Sequence, residues 1–445
     1  MEKVQLCSLT GLRLFFLGWV LTAITNFPPA FTHTSVNSAV LKINEYLNES
    51  YTDRYRPLEH HEVSLIKSGI NSVWYAGQVA GAFMSPFVCD NWGRKPAYVI
   101  SVVVMTLACG MQMIASLTPY PEFLILGRII TAVFSPLSDA ALILYLQEIS
   151  PSSLRGTISS LFSTGYAVMC LFGVLLGHED ILGHSLSVLL FVPVIPGVIS
   201  TIIVLLMPET PKFLMISKHD EKAAMKSLRF YQGEREGLEN ELITLQMESK
   251  GAEEENAGGG VKAMLTTGYL RTAFTVSVAA LVLTLPFYPI LQNSTYFFTH
   301  LEVPKTMLLM AGCSCMVSLN FFVIAAEFGF KYLAMAAVFA FVFSYGVGVG
   351  PVAWFISPEL VPLQYRSVMF CMCYAVHSML VVLTNFATVP LIGAIGAVCF
   401  VPIYIIPCSL ALVYLYVYLP ETKGRDSIEI LNELKGLPKN TVAAA

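Results

Sequence analysis

Long apolar blocks recur along this chain, and their length limits the structures that it can form. Each block has roughly 20 residues, which is enough for one helix to cross about 30 Å of hydrocarbon. Because lipid offers the backbone no hydrogen-bond partners, such blocks must be helical. About eleven spans are predicted, at residues 10–28, 68–89, 96–116, 122–147, 155–177, 184–207, 270–298, 306–326, 332–356, 367–390 and 395–418. The chain is therefore predicted to be an all-α membrane protein.

The composition argues against several other classes of protein. Only 13% of the 445 residues are charged, about half the share of a soluble domain. The ten cysteines include no CxxC pair. The sequence shows neither a Ser–His–Asp arrangement nor a phosphate-binding loop, so no enzyme is predicted. No basic stripe predicts nucleic-acid binding. We expect no metal and no cofactor, and we expect a lipid bilayer and a small-molecule substrate as the partners.

The distribution of lysine and arginine predicts the orientation of the chain. The loops at 90–95 and 151–156 and the polar stretch 208–271 carry these residues, which marks them as cytoplasmic together with the N-terminus. The 29–67 loop is then outside, where it offers the N-glycosylation triplet that begins at Asn48. The expected location is the plasma membrane.

Two sets of polar landmarks recur at a constant distance along the sequence. The pattern E-x-x-P-x-x-x-R starts at Glu148 and again at Glu359, 211 residues later. The triplet Pro-Glu-Thr starts at Pro208 and again at Pro420, 212 residues later. Matched spacing over this length indicates a transporter built from two homologous bundles. The predicted parts are a six-span bundle, a cytoplasmic linker with short helices, a second bundle of about five spans and a cytoplasmic tail, at 1–207, 208–269, 270–425 and 426–445.

These landmarks resemble the sugar-porter branch of the major facilitator superfamily, which includes the facilitative glucose transporters. The loop from Asp90 to Lys95 is similar to the D-R-x-G-R-[KR] loop of the superfamily. PETPKF at 208–213 and PETKGR at 420–425 are similar to the motifs after spans six and twelve, and Gly348 to Glu359 is similar to span ten. The resemblance implies the major facilitator fold and transport by alternating access.

The same repeat predicts that one span is missing. The counterpart of Asp90 falls near residue 301, where the chain reads Leu-Glu-Val-Pro-Lys and lacks the D-x-x-G-R core. The counterpart of span eight is therefore expected to be absent, which leaves about eleven spans instead of twelve. An odd number places the basic C-terminal residues outside, against the positive-inside rule. A skipped exon and a deletion both remain open, as does the side on which the C-terminus lies.

Six charged residues lie at predicted cytoplasmic helix ends, where headgroups and water reduce the cost of a charge. Ion pairs between the bundles at this level can hold the cytoplasmic side closed and release it when the bundles rock. The alternative is that these charges only set the topology; for Glu148 and Arg155 we favour the gate. The predicted gating and ion-pair residues are Asp90, Arg94, Glu148, Arg155, Glu359 and Arg366.

A sugar needs hydrogen-bonding groups and aromatic rings that face a central cavity. By the resemblance, Trp354 and Asn385 occupy positions that contact substrate, and Gln292 and Asn293 are weaker candidates. Ser163 stands where the family has a glutamine. These departures from the family pattern leave the identity of the solute open.

Asp139 is a different signal, because it lies in the middle of the fourth predicted span. A carboxylate at membrane depth is costly and usually faces a cavity. It follows Pro136, so it can instead bond backbone groups that the proline frees; both interpretations stay open. Span one has no acidic residue, whereas proton-coupled members of the family have one, so the resemblance implies a uniporter.

The predicted function is facilitated diffusion of a hexose or a similar small polar solute by alternating access. The alternative is a protein that does not transport: a sensor, an interaction protein or an inactive partial isoform of a sugar transporter. The replaced polar residues and the missing span motivate that alternative.

Overall fold

In a computed structural model of the chain, the helices occur in the order of the apolar blocks of the sequence. The described residues are 8–54, 60–151, 153–234, 237–254, 264, 266–287, 330, 332–333, 336–337, 340–341, 345, 350–420 and 427–435. Within these ranges the regular structure is helical, without strands. The α-helices are α1 Leu9–Thr25, α2 Phe27–Ser38, α3 Val40–Arg54, α4 His60–Trp92, α5 Arg94–Ala115, α6 Pro121–Ile149, α7 Arg155–Leu176, α8 Leu186–Phe191, α9 Val194–Leu206, α10 Pro211–Ile216, α11 Glu221–Gln232, α12 Leu238–Glu254, α13 Gly268–Val282, α14 Gly350–Glu359, α15 Leu363–Ile395, α16 Ile406–Tyr418 and α17 Ser427–Leu434.

Five helical segments among the described residues are long and apolar enough to cross a membrane, and α1 with α2 makes a sixth if this bent pair is one span. The bend is 43°, and it falls at Asn26, where α2 begins with prolines in its first turn. Proline is suited to that position because its missing N–H has no partner to lose there. Helices α2 and α3 continue into the segment that was predicted to be an external loop.

Much of the second half lies outside the described residues. The predicted span at 306–326 falls there entirely, and so do 11 of the 25 residues of the span at 332–356 and the end of the span at 270–298. The place of the predicted missing span, near residue 301, is outside them too. The described long helices of the second bundle are α13 to α16.

Helix α6 is buried on all sides in its second half. Every residue from Ser135 to Ile149 is buried, as expected for a helix that is apolar around its whole circumference. Helices α4 and α5 pack along it, and α15 of the second half packs on α4 and α6. Phe370 and Tyr374 of α15 belong to the same buried cluster as the leucines of α6, so the two halves share one core here.

The polar stretch after α9 forms α10, α11 and α12, and it is bonded to the C-terminal end of α6. The hydroxyl groups of Tyr145 and Tyr231 lie 2.6 Å apart, and both donate to the carbonyl oxygen of Pro208. The side-chain amide of Gln232 donates to the carbonyl oxygen of Ile149 at 3.2 Å. These bonds fix the linker against the first bundle.

Helices α4 and α6 approach each other closely at two glycines. A Cβ atom on Gly81 would lie 1.9 Å from the carbonyl oxygen of Val133, and one on Gly77 would lie 2.7 Å from the Cβ atom of Ala132. The spacing of these glycines is the GxxxG pattern that lets membrane helices meet backbone to backbone. Helix contact at this depth therefore requires that both positions stay small.

We expect Gly81→Ala to separate α4 from α6 and to lower the thermal unfolding midpoint of the purified protein, because overpacking typically costs about 1–3 kcal/mol. Gly110→Ala on α5 is the matched control, since a Cβ atom there would contact nothing within 4 Å. The unfolding midpoint of each variant is measured by heating samples and determining the remaining folded fraction by size-exclusion chromatography. Equal midpoints for the two variants would contradict the close approach.

Candidate functional site

A cavity lies where helices of both halves meet. The empty space between its lining residues, including the part that is open to solvent, is about 590 Å³. Most of its lining is aromatic, with one carboxylate, one histidine and one side-chain amide among the described residues. The lining residues are His33, Trp74, Tyr75, Gln78, Asp139, Phe162, Tyr166, Phe287, Tyr345, Trp354 and Tyr374.

Asp139 faces this cavity from α6. Its Oδ2 atom accepts hydrogen bonds from the Tyr374 hydroxyl at 3.0 Å and from the Ser135 hydroxyl at 3.4 Å. The Gln78 amide donates to the same tyrosine hydroxyl at 3.1 Å. The side-chain bonds of Asp139 among the described residues are both to side-chain hydroxyls and not to backbone groups near Pro136. Of the two interpretations of this residue, the geometry favours the one in which it faces the cavity.

Trp354 is the other predicted contact residue whose side chain the structure describes. It lies in α14, lines the cavity, and packs against Tyr374 and His377 with ring centroids 5.3 Å and 5.0 Å away. Ser163 and Asn385 lie in α7 and α15, but the structure does not describe their side chains. Gln292 and Asn293 fall outside the described residues altogether. Substrate contact remains a prediction for all of them.

Sequence reasoning missed a cluster around His33 that forms part of the cavity wall. The imidazole stacks on Trp74 with ring centroids 5.1 Å apart, and the Tyr75 hydroxyl lies 3.3 Å from its Nε2 atom. Trp74, Tyr75 and Gln78 lie in neighbouring positions of α4, a spacing that places 74 and 78 on one helix face. That pattern was the available signal, but it is equally typical of ordinary helix packing.

Arg128 lies behind this cluster and is also buried. Its Nη1 atom donates to the carbonyl oxygen of Thr32 at 3.0 Å, and its guanidinium lies 5.5 Å from the centre of the Trp74 ring. Within the described ranges, no carboxylate forms an ion pair with it. Thr32 lies in α2, the second part of the bent first span. The group of this span that contacts Arg128 is therefore a neutral backbone carbonyl.

The end of α4, the start of α5 and the end of α6 meet in a buried ion-pair network. Arg94 Nε lies 2.9 Å from Glu148 Oε1, and Arg94 Nη1 lies 3.6 Å from Asp90 Oδ1. The hydroxyl of Thr210 donates to the second oxygen of Glu148 at 2.5 Å. These pairs join helices of the same bundle, whereas the gate predicted from sequence joins the two bundles. Their observed effect is to brace the first bundle and the start of the linker.

Glu209 of the PETPKF motif completes the network from the linker side. Its carboxylate accepts hydrogen bonds from the backbone N–H groups of Lys95 and Thr210 at 3.0 Å and 2.8 Å. Burial raises the pKa of this carboxyl above its ordinary value. The motif was recognised as a landmark, but its partner at the start of α5 could not be read from the sequence.

Arg155, Glu359 and Arg366 are buried at the helix ends where they were predicted to lie. They stand at the first residue of α7, the last residue of α14 and the first turn of α15. Their part in gating stays a prediction.

The helices have the fold of the major facilitator superfamily. The proton:xylose symporter XylE of this superfamily, bound to 6-bromo-6-deoxy-D-glucose, superimposes with a TM-score of 0.68 at 16% identity, covering 94% of this chain and 98% of that one. An inward-open structure of XylE from E. coli gives a TM-score of 0.63 at 15% identity, covering 95% and 99%.

The sequence comparisons identify the family. The family model for sugar (and other) transporters matches residues 7–308 and 305–434, and the chain belongs to this family. It is 25% identical to human solute carrier family 2, facilitated glucose transporter member 11, over 90% of this chain and 89% of that protein. It is 23% identical to mouse member 7 over 89% and 85%.

We expect Glu148→Gln to lower the thermal stability of the purified protein strongly, because it leaves the guanidinium of Arg94 buried without its closest carboxylate. Breaking a buried pair typically costs about 3–5 kcal/mol. Glu122→Gln is the control: its pair with Arg54 spans 2.8 Å, but the side chains are 53% and 26% exposed, and such pairs contribute about 1 kcal/mol or less. Similar losses in both variants would contradict the bracing role.

Proposed function

We propose that the protein carries a hexose or a similar small polar solute across the membrane by facilitated diffusion. The cavity supports this proposal, because it is bounded by helices of both halves. A site at the interface of two bundles becomes open to one side or the other when the bundles rock. Aromatic walls suit the apolar faces of a sugar ring, and Asp139 and Gln78 offer polar partners.

Family membership favours transport over the sensor or interaction-protein alternative. The human and mouse relatives are named as facilitated glucose transporters, and we extend that activity to this chain as part of the proposal. Uniport is supported by the neutral contact between the first span and Arg128, in place of an acidic side chain. Asn385, Gln292, Asn293 and Ser163 stay candidates for solute contact.

We also propose that the protein resides in the plasma membrane with a cytoplasmic N-terminus. The external position of α3 then makes Asn48, which is exposed, a candidate for N-glycosylation. Asp90, Arg94, Glu148, Arg155, Glu359 and Arg366 lie together on the opposite side in this orientation. There they would stabilise the state that is closed to the cytoplasm.

Uptake into proteoliposomes tests the carrier function. We expect saturable entry of labelled D-glucose that a protonophore leaves unchanged, because a uniporter needs no proton gradient. Trp354→Leu should reduce the rate about tenfold, as a loss of about 1.4 kcal/mol of binding would give, because it removes an indole ring from the cavity wall. Trp19→Leu is the matched control, on the exposed face of α1. Uptake no faster than in empty liposomes, with folded protein present, would contradict the proposal.

The missing span is a separate proposal, and the family comparison supports it. The two matched segments meet at residues 305–308, within a few residues of the position that the internal repeat predicts. A break in the match at this place is expected if a segment of the family pattern is absent from the chain.

Epitope tags at the two ends test the span count. Eleven spans place the termini on opposite sides, so with a cytoplasmic N-terminus we expect only the C-terminal tag to bind antibody in intact cells. Permeabilised cells, in which both tags should bind, provide the control. If both tags were protected in intact cells, the number of spans would be even and the proposal wrong. Transcripts with extra coding sequence near residues 298–305 would identify a skipped exon.

A further inference from the structure

We propose that Asp139 makes this cavity selective for a solute that carries a protonated amine, such as an amino sugar. The inference rests on the proposed carrier function and names the class of solute that the site prefers. It depends on three features of the cavity: a carboxylate oxygen without a partner, the absence of a described cation beside it, and the aromatic lining.

The first feature is the unequal use of the two carboxylate oxygens. Asp139 is 3% exposed. Both of its hydrogen bonds, from Tyr374 and Ser135, reach Oδ2, while Oδ1 is buried with no partner among the described residues. A buried acceptor without a hydrogen bond typically costs about 1–3 kcal/mol, and more when it is charged. The acceptor Oδ1 is therefore available for a hydrogen bond from a bound solute.

The second feature is the direction of the hydrogen bonds around the carboxylate. The Gln78 amide donates to the Tyr374 oxygen, so the tyrosine proton is left to point toward Asp139. In the part of the chain that the structure describes, no lysine, arginine or histidine forms an ion pair with this carboxylate. A bound cation is therefore the missing counter-charge.

The third feature is the ring of aromatic side chains that shares the cavity with Asp139. Trp74, Trp354 and Tyr374 lie in its wall, and ammonium groups are attracted to the faces of such rings. A carboxylate combined with aromatic faces binds an organic cation better than it binds a neutral hydroxyl compound, because the charge-assisted hydrogen bond is about twice as strong as a neutral one. A sugar with one amine can place its ring against the aromatic side chains and its ammonium group against the carboxylate.

Binding to the purified full-length protein in nanodiscs tests this inference without requiring transport. The probes are D-glucosamine, N-acetyl-D-glucosamine and D-glucose, at a mildly acidic pH at which the amine is protonated. Two of the four tryptophans of the chain, Trp74 and Trp354, line the cavity, so intrinsic fluorescence reports occupancy. We expect D-glucosamine to bind at least about tenfold more tightly than either neutral sugar, as one charged hydrogen bond of about 1.5–3 kcal/mol predicts.

Asp139→Asn should remove this preference, because it keeps the shape of the side chain and removes only the charge. Asp180→Asn, at an 88% exposed carboxylate after α7, is the matched control and should preserve the preference. If Asp139→Asn does not fold, the comparison of the amine with its N-acetyl form on the unaltered protein decides the question.

Equal binding of charged and neutral sugars, or a preference that survives in Asp139→Asn, would overturn the inference. Absence of binding by any of the three probes to folded protein would overturn it as well. Amine-selective binding without flux would support the inference about Asp139 and contradict the proposed carrier function. Flux of D-glucose without amine selectivity would leave the carrier function and remove the inference.

Discussion

The burial of α6 between α4, α5 and α15 is the constraint on which the rest of the structure depends. This helix places its polar residues at successive depths of the membrane: Arg128, Asp139, Tyr145 and Glu148. The 20 residues from Arg128 to Glu148 rise about 30 Å at 1.5 Å per residue, which is the thickness of the hydrocarbon layer. One helix thus positions the cavity carboxylate, the contact to the first span and the cytoplasmic ion pair. The glycines of α4 permit the close packing that holds it.

Each polar group on α6 is compensated by a different neighbour. Glu148 has an arginine and a threonine hydroxyl, so its charge is balanced within the protein. Arg128 has the carbonyl of Thr32 and the face of an indole ring. Asp139 has two hydroxyl donors on one oxygen, and its other oxygen lacks a described partner. Because desolvation of a charge costs several kcal/mol, this difference distinguishes Glu148 and Arg128 from Asp139, the residue that we propose meets a solute.

The contact of α15 with the first bundle links the cavity to the movement that transport requires. Tyr374 belongs to the second half, and its hydroxyl donates a hydrogen bond to Asp139 of the first half. A rocking motion of the bundles has to preserve or break that bond. Solute binding at Asp139 would therefore alter the same contact that separates the two states of an alternating-access carrier.

The all-helical class and the order of the helical segments could be predicted from the sequence. Hydropathy and charge act on each segment locally, so neighbouring residues suffice to decide them. The two-bundle organisation could also be predicted, because the Glu148 and Glu359 motifs repeat at one spacing. Asp139 stood out for the same local reason: a carboxylate in an apolar block is costly wherever the helix packs.

Only the tertiary structure decided the partners of these residues. Tyr374 lies 235 residues from Asp139 along the chain, and no local pattern relates the two. The sequence could not show that Arg94 of the same bundle is an ion-pair partner of Glu148, and the part of Glu148 in gating stays a prediction. The aromatic cavity wall was missed because rings on apolar helices look the same whether they face lipid, core or cavity. The apolar pattern determines that a helix is buried, while the packing of distant helices determines what its polar side chains meet.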